Sequence, residues 1–188
     1  TGKVVISNGM ADPILIEFDS TFNVVTAQAT KLSPIPVKAG ATLTIEGTDL
    51  DLVKAVIFGG EHRVDAFISQ TATKIEVQVP ADAQDGNVIL EMASLVTTPS
   101  SELLEMVVPT ISSATPNPAK NGKTMSIKGT NLDLVTNVVF ATDKTGTIAS
   151  QSATEITVDV PLDAVNGVVN LRTRANKTVS SNEVTFVR

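Results

Sequence analysis

The stretch Gly40-Ala-Thr-Leu-Thr-Ile-Glu-Gly-Thr-Asp-Leu-Asp-Leu-Val-Lys-Ala-Val-Ile-Phe58 returns 82 residues later as Gly122-Lys-Thr-Met-Ser-Ile-Lys-Gly-Thr-Asn-Leu-Asp-Leu-Val-Thr-Asn-Val-Val-Phe140, identical at 11 of 19 positions. Most of the differences, such as Leu43/Met125, Thr44/Ser126 and Ile57/Val139, preserve size and polarity. A period of this length is that of one small domain copied, not of a short solenoid unit. Within the stretch, Leu43 and Ile45 alternate with polar residues, the period-2 pattern of a half-buried strand over 42–46. Gly47-Thr-Asp and Gly129-Thr-Asn then read as a tight turn. Glycine supplies a positive φ, and Asp49 or Asn131 bonds back to the backbone. A second strand is expected over 54–58, closed by Gly59-Gly60.

Outward from this stretch the copies stay in step. A strand is expected over 64–69, and Ser69-Gln-Thr-Ala-Thr-Lys-Ile75 recurs as Ser150-Gln-Ser-Ala-Thr-Glu-Ile156, now at an offset of 81, so the second copy is one residue shorter in the intervening loop. Alternation points Ile75, Val77 and Val79 inward, and Pro80, like Pro161, stops the strand without breaking a ladder. Asp85-Gly86 and Asn166-Gly167 are turn dipeptides that open the next strand, with Val88, Leu90, Val169 and Leu171 facing the core. Leu104, Met106, Val184 and Phe186 close the copies. Upstream, 21–26 reads as the opening strand of copy one. Residues 1–20 carry two β-rich runs, 3–7 and 14–18, around Asn8, Gly9, Asp12 and Pro13, a hairpin signature. That hairpin is open to two readings: the last hairpin of a preceding copy, or an N-terminal hairpin packed on the first domain. The start at Thr1, without Met or a signal peptide, reads as a processed or trimmed product.

About seven short strands per copy, punctuated by turns and without helical periodicity, indicate an all-β chain of two tandem immunoglobulin-like β-sandwiches. The expected division is a hairpin at 1–20, sandwich one at 21–107 and sandwich two at 108–188. The link Met106-Val-Val-Pro109 holds no Gly/Ser linker, and Pro109 stiffens it, so a semi-rigid end-to-end pair is expected.

The pattern carried by Pro36, Gly40, Ile45, Gly47, Leu50, Val56 and Phe58, and again by Pro118, Gly122, Ile127, Gly129, Leu132, Val138 and Phe140, resembles the IPT/TIG family, immunoglobulin-like domains of the E-set type. The Val-Pro strand stop and the Ser-x-x-Glu/Asn-hydrophobic ending match as well. One departure is Ala141-Thr142 where copy one keeps Gly59-Gly60. The resemblance implies two contexts. Animal transcription factors and receptors carry such domains beside DNA-binding or signalling modules. Bacterial envelope proteins, including glycan-binding surface lipoproteins, stack them as spacers below a separate recognition domain, and phage tail and adhesin-like proteins use similar modules.

Composition narrows the function. A net charge of −6 and the lack of any long Lys/Arg run speak against nucleic acid or an anionic membrane as partner. The densest basic group, Arg172, Arg174 and Lys177, reads as a solvated strand. No run of about 18 apolar residues is present to span a bilayer. With no Cys, neither a disulfide nor a thiolate metal site is available. No catalytic, cofactor or metal residues are expected. The single His62 lies beside the Gly-Gly turn without further ligands at suitable spacing and reads as an exposed loop residue. Asp49/Asp51 and Asn131/Asp133 make a poor start on the roughly six to eight oxygens of a calcium site, and turn capping explains them, as it does Asp82, Asp85 and Asp163. There is no Trp or Tyr on which sugar rings could stack. Of six Phe, Phe58, Phe140 and Phe186 read as core, Phe18 and Phe22 lie in the opening region, and Phe67 is ambiguous. Copy one has Ile89 where copy two has Asn170, and adds Leu95-Val96 in a turn. Ile89 reads as a cover for the N-terminal hairpin or as part of a patch for another domain.

The expectation is therefore a non-catalytic spacer from a bacterial protein at the extracellular, outer-membrane surface. Its partners are neighbouring domains of the same parent chain and, through the parent, extracellular polysaccharide or protein. The binding residues are unknown. The alternatives are a direct protein- or carbohydrate-binding module and an accessory domain pair of an extracellular carbohydrate-active enzyme.

Overall fold

The computed structural model describes residues 2–7, 9, 15–22 and 24–188. The strands, in chain order, begin with the hairpin β1 (Gly2–Ser7) and β2 (Leu15–Phe22), paired antiparallel. Copy one holds β3 (Gln28–Ser33), β4 (Thr42–Thr48), β5 (Val53–Gly59), β6 (His62–Val64), β7 (Ser69–Gln70), β8 (Lys74–Gln78), β9 (Gln84–Met92) and β10 (Thr97–Leu104). Copy two holds β11 (Thr110–Thr115), β12 (Ala119–Lys120), β13 (Thr124–Thr130), β14 (Val135–Phe140), β15 (Lys144–Gln151), β16 (Glu155–Asp159), β17 (Gly167–Thr173), β18 (Thr178–Val184) and β19 (Phe186–Val187). The helical pieces among the described residues are single 3-10 turns, and no helix there is long and apolar enough to cross a membrane.

Sandwich one stacks the sheet β3-β4-β8-β7 on the sheet β10-β9-β5-β6. Alternation along each strand sends Leu43, Ile45, Val56, Phe58, Ile75, Val77, Val88 and Leu90 between the sheets, where all are buried. Sandwich two repeats this core with Met125, Ile127, Val138, Phe140, Ile156, Val158, Val169 and Leu171. The half-buried Phe186 meets Phe140 edge to face, with ring centroids 5.7 Å apart. In copy two the two sheets merge into one seven-stranded sheet, β11-β13-β16-β15-β14-β17-β18. The cause lies in the shortened loop. Where copy one breaks off between β6 and β7, the one-residue-shorter copy two runs straight through as β15.

Three local readings of the sequence are corrected. The opening strand of copy one is β3, not 21–26. A register shift between Ala29 and Lys31 disrupts the alternation that would have marked it. The strand expected over 64–69 is two short pieces. Gly47 does not turn the chain: it lies inside β4, and a Cβ there would sit 1.8 Å from the Gln28 carbonyl oxygen, as one on Gly129 would from that of Thr110. The left-handed residues are Asp49 and Asn131 (φ 54° and 53°), and neither makes a side-chain cap bond. The carbonyls of the following 3-10 turn are met from another element. Gln70 Nε2 donates to Leu50 O and Val53 O at 2.8 Å each, and Gln151 Nε2 donates to Leu132 O and Val135 O at 2.7 Å each.

Candidate functional site: the seam between the copies

The described residue that ties the copies together most directly is Ala175, at the tip of the β17–β18 hairpin. It is 7% exposed and packs into the apolar core cluster of copy one. A methyl at this tip is small enough to enter the lower end of sandwich one, where Ala39, Ala81, Met106 and Val107 form the floor and Leu134, Thr173 and Arg174 complete the lining from copy two. Two ion pairs flank this contact. Lys38 Nζ lies 2.6 Å from Asp133 Oδ2. On the other flank Lys177 Nζ donates to Asp85 Oδ2. The other oxygen of Asp85 accepts the Met106 N–H at 2.8 Å, so one carboxylate holds both the closing strand of its own copy and the hairpin of the next. Partial burial pushes the Asp85 carboxyl up, but the hydrogen bonds from Lys177 and Met106 outweigh it and hold it below the usual aspartate range.

The residues singled out from sequence fall into place around this frame. The Arg172, Arg174 and Lys177 group is not merely a solvated strand, because Arg174 lines the seam and Lys177 is paired in it. Asp133 pairs across the seam instead of capping its turn, whereas Asp51, its counterpart in copy one, has no partner among the described residues. His62 is on strand β6 rather than in a loop, half-buried, with Nδ1 3.6 Å from Asp82 Oδ1. Asp163 is 2.5 Å from Lys144 Nζ, whose hydrogen bond lowers its pKa. Among the described residues no group of three or more His, Asp or Glu is placed to hold a metal ion.

Phe67 is half-buried against the core of copy one, which resolves its ambiguity toward packing. The side chains of Phe18 and Phe22 lie outside the described residues. Ile89 is half-buried between its cross-strand neighbours Ile57 and Pro99. Its expected contact with the N-terminal hairpin also rests on side chains outside the described residues. Leu95 is exposed at the tip of the β9–β10 hairpin. Sequence reasoning did not find the seam, because its partners are as far apart in the chain as Asp85 and Lys177. The available signal was half of it: Lys38 and Asp51 recur as Lys120 and Asp133, whereas Asp85 and Lys177 stand where the other copy has Asn166 and Val96.

Among solved structures the chain is similar to the surface glycan-binding protein PbSGBP-B from Prevotella bryantii, with 18% identity over 85% of this chain and 42% of that one and a TM-score of 0.42. It is also similar to SGBP-B of the Bacteroides ovatus mixed-linkage glucan utilization locus, solved in complex with mixed-linkage heptasaccharide (20% identity, 85% of this chain and 45% of that one, TM-score 0.37). A third similarity is to the full extracellular region of plexin A4 (20% identity, 87% of this chain and 16% of that one, TM-score 0.43). This chain spans less than half the length of each. No curated protein sequence matches it. The IPT/TIG domain profile matches residues 27–104 and again residues 109–187. With both copies matched along most of its length, the chain belongs to the IPT/TIG domain family.

Proposed function

We propose that residues 21–107 and 108–188 form a non-catalytic spacer of a bacterial cell-surface protein. The pair sets the distance and orientation of a separate glycan- or protein-binding module of the same parent. The observation that carries this reading is the seam: an apolar hairpin tip seated in the neighbouring core and flanked by two ion pairs resists both bending and twisting, which a free linker would not. Neighbouring domains of the parent are the direct partners, and extracellular polysaccharide or protein is reached through them. The extracellular, outer-membrane location belongs to the same reading.

A second reading, direct ligand binding, draws on one difference between the copies. In copy one the Glu102 carboxylate accepts the Leu32 N–H at 2.7 Å and closes the space between β3 and β10. In copy two the corresponding space between β11 and β18 is an open groove lined by Ser112, Ala114, Asn117, Ser180 and Asn182. Affinity electrophoresis of this chain in a panel of soluble polysaccharides, run beside small-angle X-ray scattering, separates the readings. The spacer reading expects no retardation and a scattering profile fitted by one interdomain orientation. Retardation by one glycan, abolished by Asn182→Trp in the groove, would favour direct binding, and a broad distribution of interdomain distances would defeat the spacer.

A further inference from the structure

The hairpin β1–β2 has the register of the closing hairpin of copy one; that of copy two bulges at the same place, by two residues against three. In β9–β10, Gly86 pairs with Leu104 and Asn87 with Leu103; the register then advances two residues on β9 against four on β10, and three pairs follow from Ile89↔Pro99. In β1–β2, Gly2 pairs with Phe22 and Lys3 with Thr21; the register advances two residues against four, and three pairs follow from Val5↔Glu17. A two-against-four bulge is a specific feature, since each extra residue re-aims the strand. The links agree as well. Residues 23–27 separate β2 from β3, and 105–109 separate β10 from β11. On this alignment Val24 takes the place of Met106. Met106 is buried in the sandwich it closes, whereas Val24 is 70% exposed.

The upper end of copy one also matches the upper end of copy two, which is already occupied. Asp133 and Leu134 of the seam correspond to Asp51 and Leu52. Asp51 is without a partner among the described residues, and Leu52 is 39% exposed. Ala175, Asn176 and Lys177 of the docked tip correspond to Ser94, Leu95 and Val96. Leu95 is 78% exposed and adopts a left-handed backbone (φ 62°), a conformation that costs a leucine more than the Asn176 that holds it in copy two (φ 58°). The Leu95 side chain takes no part in the core of sandwich one.

We propose that Gly2–Phe22 is the last hairpin of a third IPT/TIG sandwich of the same polypeptide, and that the lower end of that sandwich seats on Asp51, Leu52, Leu95 and Val96. The seat repeats the Lys38–Asp133 flank and the hairpin-tip contact of the one between copies one and two, with Val96 at the place of Lys177. A basic residue at the place of Lys38 meets Asp51, and small apolar residues at the places of Ala39 and Ala81 receive Leu95 and Val96. The inference stands apart from the spacer reading, because it concerns only which surface covers this end.

The chain has no cysteine, so single thiols report accessibility cleanly. Leu95→Cys is made in this 188-residue protein and in the natural polypeptide extended upstream of Thr1 by the length of one copy, and labelling with a small thiol reagent is timed in both. Leu162→Cys, at the exposed far end of copy two, serves as the control. The expected result is fast labelling of the Leu95→Cys variant in the shorter protein, at least tenfold slower labelling of the same variant in the extended one, and equal rates for Leu162→Cys in both. Equal rates for Leu95→Cys in the two proteins overturn the proposal. So does an upstream stretch without the repeated Gly-x-x-Leu/Met-x-Ile-x-Gly-Thr strand-and-turn pattern.

Discussion

Glycine at 47 and 129 shows how a residue can be identified correctly and explained wrongly. The repeat marks both positions, and turn chemistry is the natural reading of Gly-Thr-Asp. What excludes a side chain there is the neighbouring strand's carbonyl, 1.8 Å from where a Cβ would stand. The obstacle is backbone, so it cannot rotate away. Gly47→Ala and Gly129→Ala should each destabilise their own sandwich by about 3 kcal/mol, in the range of severe overpacking. With no Trp or Tyr in the chain, the change is best read by far-UV circular dichroism in urea. Leu95 behaves in the opposite sense. Leu95→Asn places at φ 62° a residue that tolerates the left-handed region, and it should stabilise copy one by about 0.5–1 kcal/mol. An unchanged or lowered urea midpoint would show that the tip carries no strain.

At the scale of elements, the strands whose burial alternates were readable, and the one in which the alternation slips was not. β4, β8 and the 88–92 part of β9 follow period 2 because each has one face on the core. β3 does not, since its register slips between Ala29 and Lys31 and moves the apolar residues out of phase. The Thr- and Val-rich 21–26 was a decoy: β-propensity describes residues that suit a pleated surface, and part of this segment is the link between β2 and β3. The closing hairpins hide another device. The buried hydroxyl of Ser100 accepts the Val88 N–H at 3.0 Å and donates to Glu102 O at 2.6 Å. Ser181 accepts the Val169 N–H at 2.9 Å and donates to Asn182 O at 2.6 Å. Each serine satisfies a donor that the bulge removes from the ladder. The serine-bearing ending was visible in the sequence, as Ser100-Ser-Glu and Ser181-Asn-Glu, but its purpose depends on a cross-strand partner twelve residues back. Ser100→Ala and Ser181→Ala should cost about 1–3 kcal/mol, the range for stranding a buried donor. Hydrogen exchange should show the Val88 or Val169 amide losing protection first.

For the whole molecule, the link sequence announced stiffness through Pro109, but the orientation of the pair depends on contacts that no local pattern encodes. Asp85 is one group through which pH can act on them. Partial burial works to raise its pKa in the folded chain, yet the hydrogen bonds from Lys177 and Met106 outweigh that effect and lower it. For a carboxyl depressed on folding, the stabilisation is fully present above the ordinary aspartate value of about 4. It is lost as pH falls through the lower folded value, because protonation then removes the charge that Lys177 meets. The seam should therefore hold from neutral pH down to about pH 4 and loosen below it. Lys177→Ala should loosen it at every pH while leaving both sandwiches folded, since an exposed pair contributes only about 0.2–1 kcal/mol. Spin labels on Ser94→Cys and Leu162→Cys, at the outer ends of the two sandwiches, read the effect as a distance distribution. A narrow distribution at about pH 7 that broadens below about pH 4, with Lys177→Ala already broad near neutrality, is the expected result. A distribution equally narrow in the variant at every pH would mean that Ala175, the Lys38–Asp133 pair and the link hold the orientation and that the Lys177–Asp85 pair is dispensable.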